Sequence, residues 1–174
     1  CRLAAKDGTL SRFKPEFDSP QGHSEMVNVE IKARCSEAQA ESILAMLHRF
    51  AEYRGEDRQR DTYFKVATGR LKLRQGNIER CLIAYSRPDQ AGPKVSKYTL
   101  VPMQSPADER LLEALTESLG VLVVVDKIRQ IFYCGNVKIH VDHLVGLGHF
   151  VEIEARDEDE VLGVEALHAE CEYL

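Results

Sequence analysis

The chain has 174 residues, 44% hydrophobic and 29% charged, with a net charge of −5. That length suits one domain with a real core; the acidic balance argues against general nucleic-acid binding, which wants a basic surface, and no apolar run approaches the roughly 20 residues needed to span a membrane. The five cysteines, Cys1, Cys35, Cys81, Cys134 and Cys171, stand far apart without a CxxC pair, so buried free thiols in a reducing, cytoplasmic setting are expected rather than disulfides or a zinc site.

Residues 1–25 lack periodicity and read as a disordered or non-native extension, with Met26 as a natural start and the domain occupying 26–174. Val27 to Arg34 alternates apolar and polar residues and predicts a strand. Ser36 to Tyr53 predicts a helix, opened by a capping box of Ser36 and Gln39 and carrying an apolar stripe of Ile43, Leu44, Leu47, Phe50 and Ala51. Arg54 to Arg60 reads as a polar loop. Arg70 to Arg74 and Arg80 to Arg87 read as strands joined by a turn at Gly76-Asn77. A loop from Pro88 to Pro93 leads to a strand from Lys94 to Val101. Ser105 is expected to cap a second helix, with Pro106 at its first position and Gly120 just past its end. Val121 to Cys134 and Val137 to Leu144 are strands around a Gly135-Asn136 turn, and Gly146 and Gly148 turn the chain into Phe150 to Arg156. A third helix is expected from near Asp157, its acidic start Asp157 to Glu160 favoured by the helix dipole; it is still running at Leu174, which suggests that the chain continues. The class is α+β: an antiparallel sheet with helices on one face.

Successive side chains on a strand point to opposite faces, and sorting by parity separates the charges. Val27, Val29, Ile31 and Ala33 oppose Asn28, Glu30, Lys32 and Arg34. Leu71 and Leu73 oppose Arg70, Lys72 and Arg74; Lys127 and Arg129 share a face. Ile139 and Val141 oppose Lys138, His140 and Asp142, while Val151, Ile153 and Ala155 oppose Glu152, Glu154 and Arg156. A solvated sheet face accounts for each strand singly. Together, however, the polar faces are almost wholly charged, and bases (Arg70, Lys72, Arg74, Lys127, Arg129) stand apart from acids (Asp142, Glu152, Glu154). If the sheet curls closed these charges converge, and buried unpaired charges are costly. A polyphosphate with a divalent cation answers both signs, because guanidinium groups pair with phosphate oxygens and Mg²⁺ or Mn²⁺ takes carboxylate and phosphate oxygens together. His143 falls on the face opposite His140 and Asp142, so these three cannot converge on a metal; His140 is expected at the mouth of any such enclosure. Tyr63 and Phe64 read as packing residues, and Lys94, Ser96 and Tyr98 as one face of a solvated strand.

An ordered set of motifs carries a family resemblance. Asn-Val-Glu-Ile-Lys at 28–32 resembles the N-terminal ExExK motif of CYTH domains. Asp61-Thr-Tyr-Phe64 with Gly69-Arg-Leu-Lys-Leu-Arg74, Tyr85-Ser-Arg-Pro-Asp89, Lys127-Ile-Arg129, and His140-Val-Asp142 through Gly146-Leu-Gly148 to Phe150-Val-Glu-Ile-Glu154 are similar to the later blocks, in order. The resemblance covers Val27 to about Arg156 and implies a closed antiparallel β-barrel, the triphosphate tunnel, with helices packed outside. It implies phosphate binding by Lys32, Lys72, Arg74, Arg87, Lys127 and Arg129, metal binding by Glu30, Glu152 and Glu154, and catalytic roles for Lys32, Arg129 and Asp142. The expected cofactor is Mg²⁺ or Mn²⁺, and the expected partner a triphosphate small molecule rather than nucleic acid or membrane, in a monomer or homodimer. With Asn28 the chain resembles the class IV adenylyl cyclase-like branch, and two reactions are compatible. A triphosphatase acting on a nucleoside triphosphate, thiamine triphosphate or inorganic tripolyphosphate is expected, because water needs less positioning than a ribose hydroxyl. The alternatives are a class IV adenylyl cyclase making cyclic AMP and pyrophosphate, or a non-catalytic polyphosphate or nucleotide binder. Asn28 departs from the motif's first Glu and removes one negative charge from the metal set.

Overall fold

The computed structural model describes residues 26–88, 92–156, 163, 165–167 and 169. The expectations for residues 1–25, for Asp89 and for the acidic run at 157–160 lie outside them. Eight strands and two helices follow in the order β1 (Met26–Cys35), α1 (Glu37–Phe50), β2 (Glu52–Phe64), β3 (Arg70–Gln75), β4 (Arg80–Ser86), β5 (Lys94–Pro102), α2 (Ala107–Leu119), β6 (Val121–Cys134), β7 (Val137–Leu144) and β8 (Gly148–Arg156). Residues 163, 165–167 and 169 are also helical. The sheet is antiparallel throughout, in the order β1-β5-β4-β3-β2-β6-β7-β8; β1 pairs with β5 on one side and β8 on the other, so the pairing closes on itself. No helix among the described residues is long and apolar enough to cross a membrane.

Closure gives the two strand faces different surroundings. The apolar core lies outside the ring, where Val29, Phe132, Val137, Ile139, Val141 and Ala155 meet Ala40 and Leu47 of α1 and Leu167 of the C-terminal helical residues. The inner face is left to the charged parity. α1 begins as expected: Ser36 Oγ accepts from Gln39 N at 3.2 Å, and Gln39 Oε1 accepts from Ser36 N at 2.9 Å. Its stripe is narrower than expected, because Phe50 is exposed. α2 departs at its start. Pro106, not Ser105, occupies the cap, and no side chain hydrogen-bonds there. The helix is tied to the sheet instead by Asp108, which accepts from Gln75 at 3.1 Å and pairs with Arg80.

The largest correction is β2. Arg54 to Arg60 is a strand, paired with β6 along its length and with β3 from Arg60 onward. Its outer face is wet, with Arg58 and Arg60 exposed, while Asp57, Gln59 and Asp61 on the other face are buried. Both faces are therefore polar, and apolar periodicity has nothing to register. Asp57 clamps the β3–β4 turn, accepting backbone N–H bonds from Asn77, Ile78 and Glu79 at 2.7, 2.9 and 2.9 Å. Gly76 belongs in that turn because an added Cβ would lie 2.6 Å from the Asp57 carboxylate. The β5 expectation changes as well: Ser96 is buried and Lys94 and Tyr98 are half-buried, so their face is not solvated. Of the described cysteines Cys35, Cys81 and Cys134, only Cys81 is buried, the other two being half-buried.

Candidate functional site

Ion pairs between strands that are not neighbours show which face is enclosed. Lys32 of β1 reaches Asp142 of β7 across β8 at 3.4 Å. Arg129 of β6 reaches Glu152 of β8 across β7 at 2.6 Å. Arg87, just past β4, pairs with Glu30 of β1 across β5. Lys138 of β7 pairs with Glu79 at the start of β4, on the far side of the ring. Such contacts need a concave, closed surface, which excludes the open wet sheet.

Two clusters dominate the interior. In the first, Asp61 sits among three cations: Arg74 Nε and Nη2 at 2.9 and 3.0 Å, Lys72 Nζ at 3.2 Å and Lys127 Nζ at 3.0 Å. Burial alone would raise the Asp61 pKa, but Arg74, Lys72 and Lys127 hold it well below the usual carboxylate range. Lys127 behaves oppositely: burial, with Arg74 and Arg129 beside it, pulls its pKa well down despite Asp61. Glu79 also binds Arg74 and is shared with Lys138, so two carboxylates face the four cations Lys72, Arg74, Lys127 and Lys138, and the group is short of negative charge. In the second cluster, Arg129 binds Asp142 through two bonds of 2.7 Å and Glu152 through one of 2.6 Å. Lys32 is 3.4 Å from Asp142 and 3.5 Å from Glu152, and its side chain is 36% exposed, against 2% for Arg129. Burial lowers the Lys32 pKa, but Glu152 and Asp142 outweigh it and the net direction is up.

All the residues expected at the site line this interior, but the expected separation of bases from acids does not survive. Asp61 and Glu79 stand within the basic group, because burying Lys72, Arg74, Lys127 and Lys138 without counter-charge is too costly. Asp61 belongs to a motif block without a role and Glu79 falls between the Gly76-Asn77 turn and the strand from Arg80; the pairing of β2 with β3 and β6 reveals the first, and the cross-ring contact with Lys138 the second. Glu79 accepts from Arg74 at 2.7 Å and pairs with Lys138. His140 is fully buried, not at a mouth, because β7 runs through the closed sheet. Its Nδ1 faces Glu152 and Glu154, and potential ligand atoms of these three residues lie within 4.8 Å of one another. Glu30 is beside Glu154 in the β1–β8 register, with its carboxylate held by Arg87. Asn28 is buried, and its side-chain oxygen has no hydrogen-bond partner among the described residues. His143 is exposed and stacks on His149 at 4.6 Å, away from the other charges as expected. Phe64 is buried packing, whereas Tyr63 lies under Lys72 at 5.5 Å.

The sequence profile of the CYTH domain matches residues 26–171. The chain belongs to the CYTH domain family. No curated protein sequence matches it. Solved structures share the fold. A conserved hypothetical protein from Pyrococcus furiosus is 20% identical over 83% of this chain and 88% of its own, with a TM-score of 0.62. A candidate adenylate cyclase from Vibrio parahaemolyticus is 24% identical over 86% and 85%, at 0.59. A candidate adenylyl cyclase from Hippeastrum, described as having a dominant triphosphatase activity, is 13% identical over 78% and 80%, at 0.56.

The interior of this CYTH domain ties stability to pH. Burial first, then Arg129 and Lys138, push the His140 pKa down to about 4. An unfolded histidine titrates near 6.5, so between those values the unfolded state binds the extra proton and stability falls as pH drops. Burial raises the pKa values of Asp61, Glu79 and Glu152, but the neighbouring cations outweigh it and the net direction is down. Their contribution is present above the unfolded carboxylate range and is lost as pH falls through and below it. Melts of metal-free protein are expected to lose stability in two stages, below about pH 6.5 and again below about pH 4.5. His140→Asn removes only the upper stage. A melting temperature flat from pH 7 to 4.5 in the parent protein contradicts the burial of His140.

Proposed function

We propose that this CYTH domain is a divalent-metal-dependent triphosphatase that binds the triphosphate of a small molecule inside its closed sheet, a triphosphate tunnel. The observation carrying the reading is the basic group of Lys72, Arg74, Lys127 and Lys138 with only Asp61 and Glu79 as its described counter-charges, in an enclosure that also holds Arg129, Lys32 and a further group of carboxylates. Four or five cations beside one another suit an anion bearing several charges, and arginine takes phosphate oxygens in pairs.

In this reading Lys72, Arg74, Arg87, Lys127 and Arg129 hold the phosphate chain, and Lys32, the most accessible of the interior cations named, meets it at the open side. Glu152 and Glu154, with Glu30 alongside, hold the cation; the donor set is chemically apt, being carboxylate oxygens gathered at one place. When bound, the cation neutralises phosphate charge and polarises a phosphoryl oxygen. Arg129 is fixed by two bonds to Asp142, so its guanidinium is already oriented toward charge that develops during transfer. Asp142, held below the ordinary carboxylate range mainly by Arg129 against the opposing effect of burial, stays ionised and orients Arg129 and Lys32. Water then needs only to reach the terminal phosphorus. Attack by a ribose hydroxyl on the α-phosphorus, the cyclase outcome, needs a second positioned group.

Purified protein offered ATP, thiamine triphosphate or tripolyphosphate with Mg²⁺ or Mn²⁺ is expected to release orthophosphate. Cyclic AMP with pyrophosphate selects the cyclase, and tight binding without turnover selects the binder, for which the neutral Asn28 is the supporting feature. Lys72→Ala is expected to lose at least about tenfold in substrate affinity, a loss of about 1.4 kcal/mol; unchanged binding by isothermal titration counts against the tunnel.

A further inference from the structure

His140 is the buried group that the proposed hydrolysis leaves unused. It is 0% exposed, and neither ring nitrogen has a hydrogen-bond partner among the described residues. A buried polar atom left unpaired costs about 1–3 kcal/mol, and native structures leave few. Nδ1 lies 3.5 Å from a Glu152 oxygen and 3.7 Å from a Glu154 oxygen, too far for well-formed hydrogen bonds. The spacing has another use. Donors bound at about 2.0–2.2 Å to one small ion stand about 3–4 Å apart. The register explains why the three meet: His140 is directly opposite Glu152 on β8, and Glu154 is two residues further along the same face.

We infer that His140 is a direct metal ligand, completing a set of one nitrogen and two carboxylates with Glu152 and Glu154, and that it tilts the site toward a first-row transition ion such as Mn²⁺ over Mg²⁺. This rests on the reading above only in placing the cation at Glu152 and Glu154. Mg²⁺ prefers an all-oxygen shell and sheds water reluctantly; imidazole favours the first-row transition ions, the later ones most, and Mn²⁺, which shares the preference of Mg²⁺ for carboxylates, still gains more than Mg²⁺ from one nitrogen donor. The carboxylates by themselves do not make that distinction. With Asn28 where the family motif has Glu, an imidazole nitrogen restores donor number without restoring charge.

The test is pulsed electron paramagnetic resonance of Mn²⁺ bound to the whole chain, with and without tripolyphosphate. A nitrogen modulation from bound imidazole is expected in at least one condition, changing to the ¹⁵N pattern when the protein is grown on ¹⁵N-histidine. Displacement of Mn²⁺ by Mg²⁺ is expected to become at least about tenfold easier in His140→Gln. Bound Mn²⁺ without histidine nitrogen coupling overturns the inference and leaves His140 a positioning residue for Glu152. Failure of Mn²⁺ to bind in either condition overturns it as well. The parent spectrum decides even if the variant folds poorly. Nitrogen coupling without triphosphate turnover keeps this inference and removes the hydrolase reading; turnover without coupling does the reverse.

Discussion

Arg129→Ala is expected to destabilise the domain by about 3–5 kcal/mol, the usual cost of breaking a buried ion pair by removing one partner. Arg129 is 2% exposed and satisfies both oxygens of Asp142 and one oxygen of Glu152. Its removal leaves two carboxylates facing each other in an enclosed space, with only Lys32 nearby at 3.4 and 3.5 Å. For a domain of this size the melting temperature is expected to fall by roughly 10 °C. The deficit has a pH signature. Without Arg129, Asp142 loses the cation that mainly holds its pKa down and Glu152, held first by Lys32, loses the second, so both take up protons more readily and the gap from the parent narrows in acid. Arg129→Lys keeps the charge but not the two-pronged geometry, and is expected to fall between the two. Melts of the three proteins from pH 8 to 4 check this. A loss for Arg129→Ala under about 1 kcal/mol means that Arg129 behaves as a surface pair, and the enclosed arrangement is then wrong.

The second large effect concerns Asp61, which both neutralises Lys72, Arg74 and Lys127 and occupies the positions a phosphate would take. Asp61→Asn is expected to lose about 3 kcal/mol in phosphate-free buffer, because Lys72 and Lys127 lose their shared counter-charge and Arg74 keeps only Glu79. It is also expected to gain more than the parent from tripolyphosphate. In the parent, the anion must compete with a carboxylate within 3.2 Å of all three cations. In the variant it replaces missing charge. A ligand at about a hundred times its dissociation constant stabilises by about 2.7 kcal/mol, enough to recover most of the loss. Thermal shift against tripolyphosphate concentration measures both effects. Equal shifts in the two proteins would place the phosphate seat elsewhere.

Parity was the most informative reading of the chain. Glu30, Lys32, Lys72, Arg74, Lys127, Arg129, Asp142, Glu152 and Glu154 could be put on inward faces because the apolar residues between them had to face a core. The capping box at Ser36, the turn at Gly135 and the bounds of β6 and β7 were legible for equally local reasons. β2 was not, since a strand between solvent and a polar interior shows no hydrophobic alternation. Asp61 and Glu79 were not legible as counter-ions either, because Asp61 meets its cations only through the pairing of β2 with β3 and β6, and Glu79 meets Lys138 only across the closed ring.

What sequence alone determined here is the inward charges of β1, β3, β6, β7 and β8, since side-chain alternation is a local consequence of backbone geometry; those of β2 escaped it. Tertiary structure decided the partnerships: Asp61 shared by three cations, Arg129 locked to Asp142, His140 left facing two glutamates. Those follow from the order in which eight strands close, and Coulomb forces in a buried space depend on distances that no local pattern encodes.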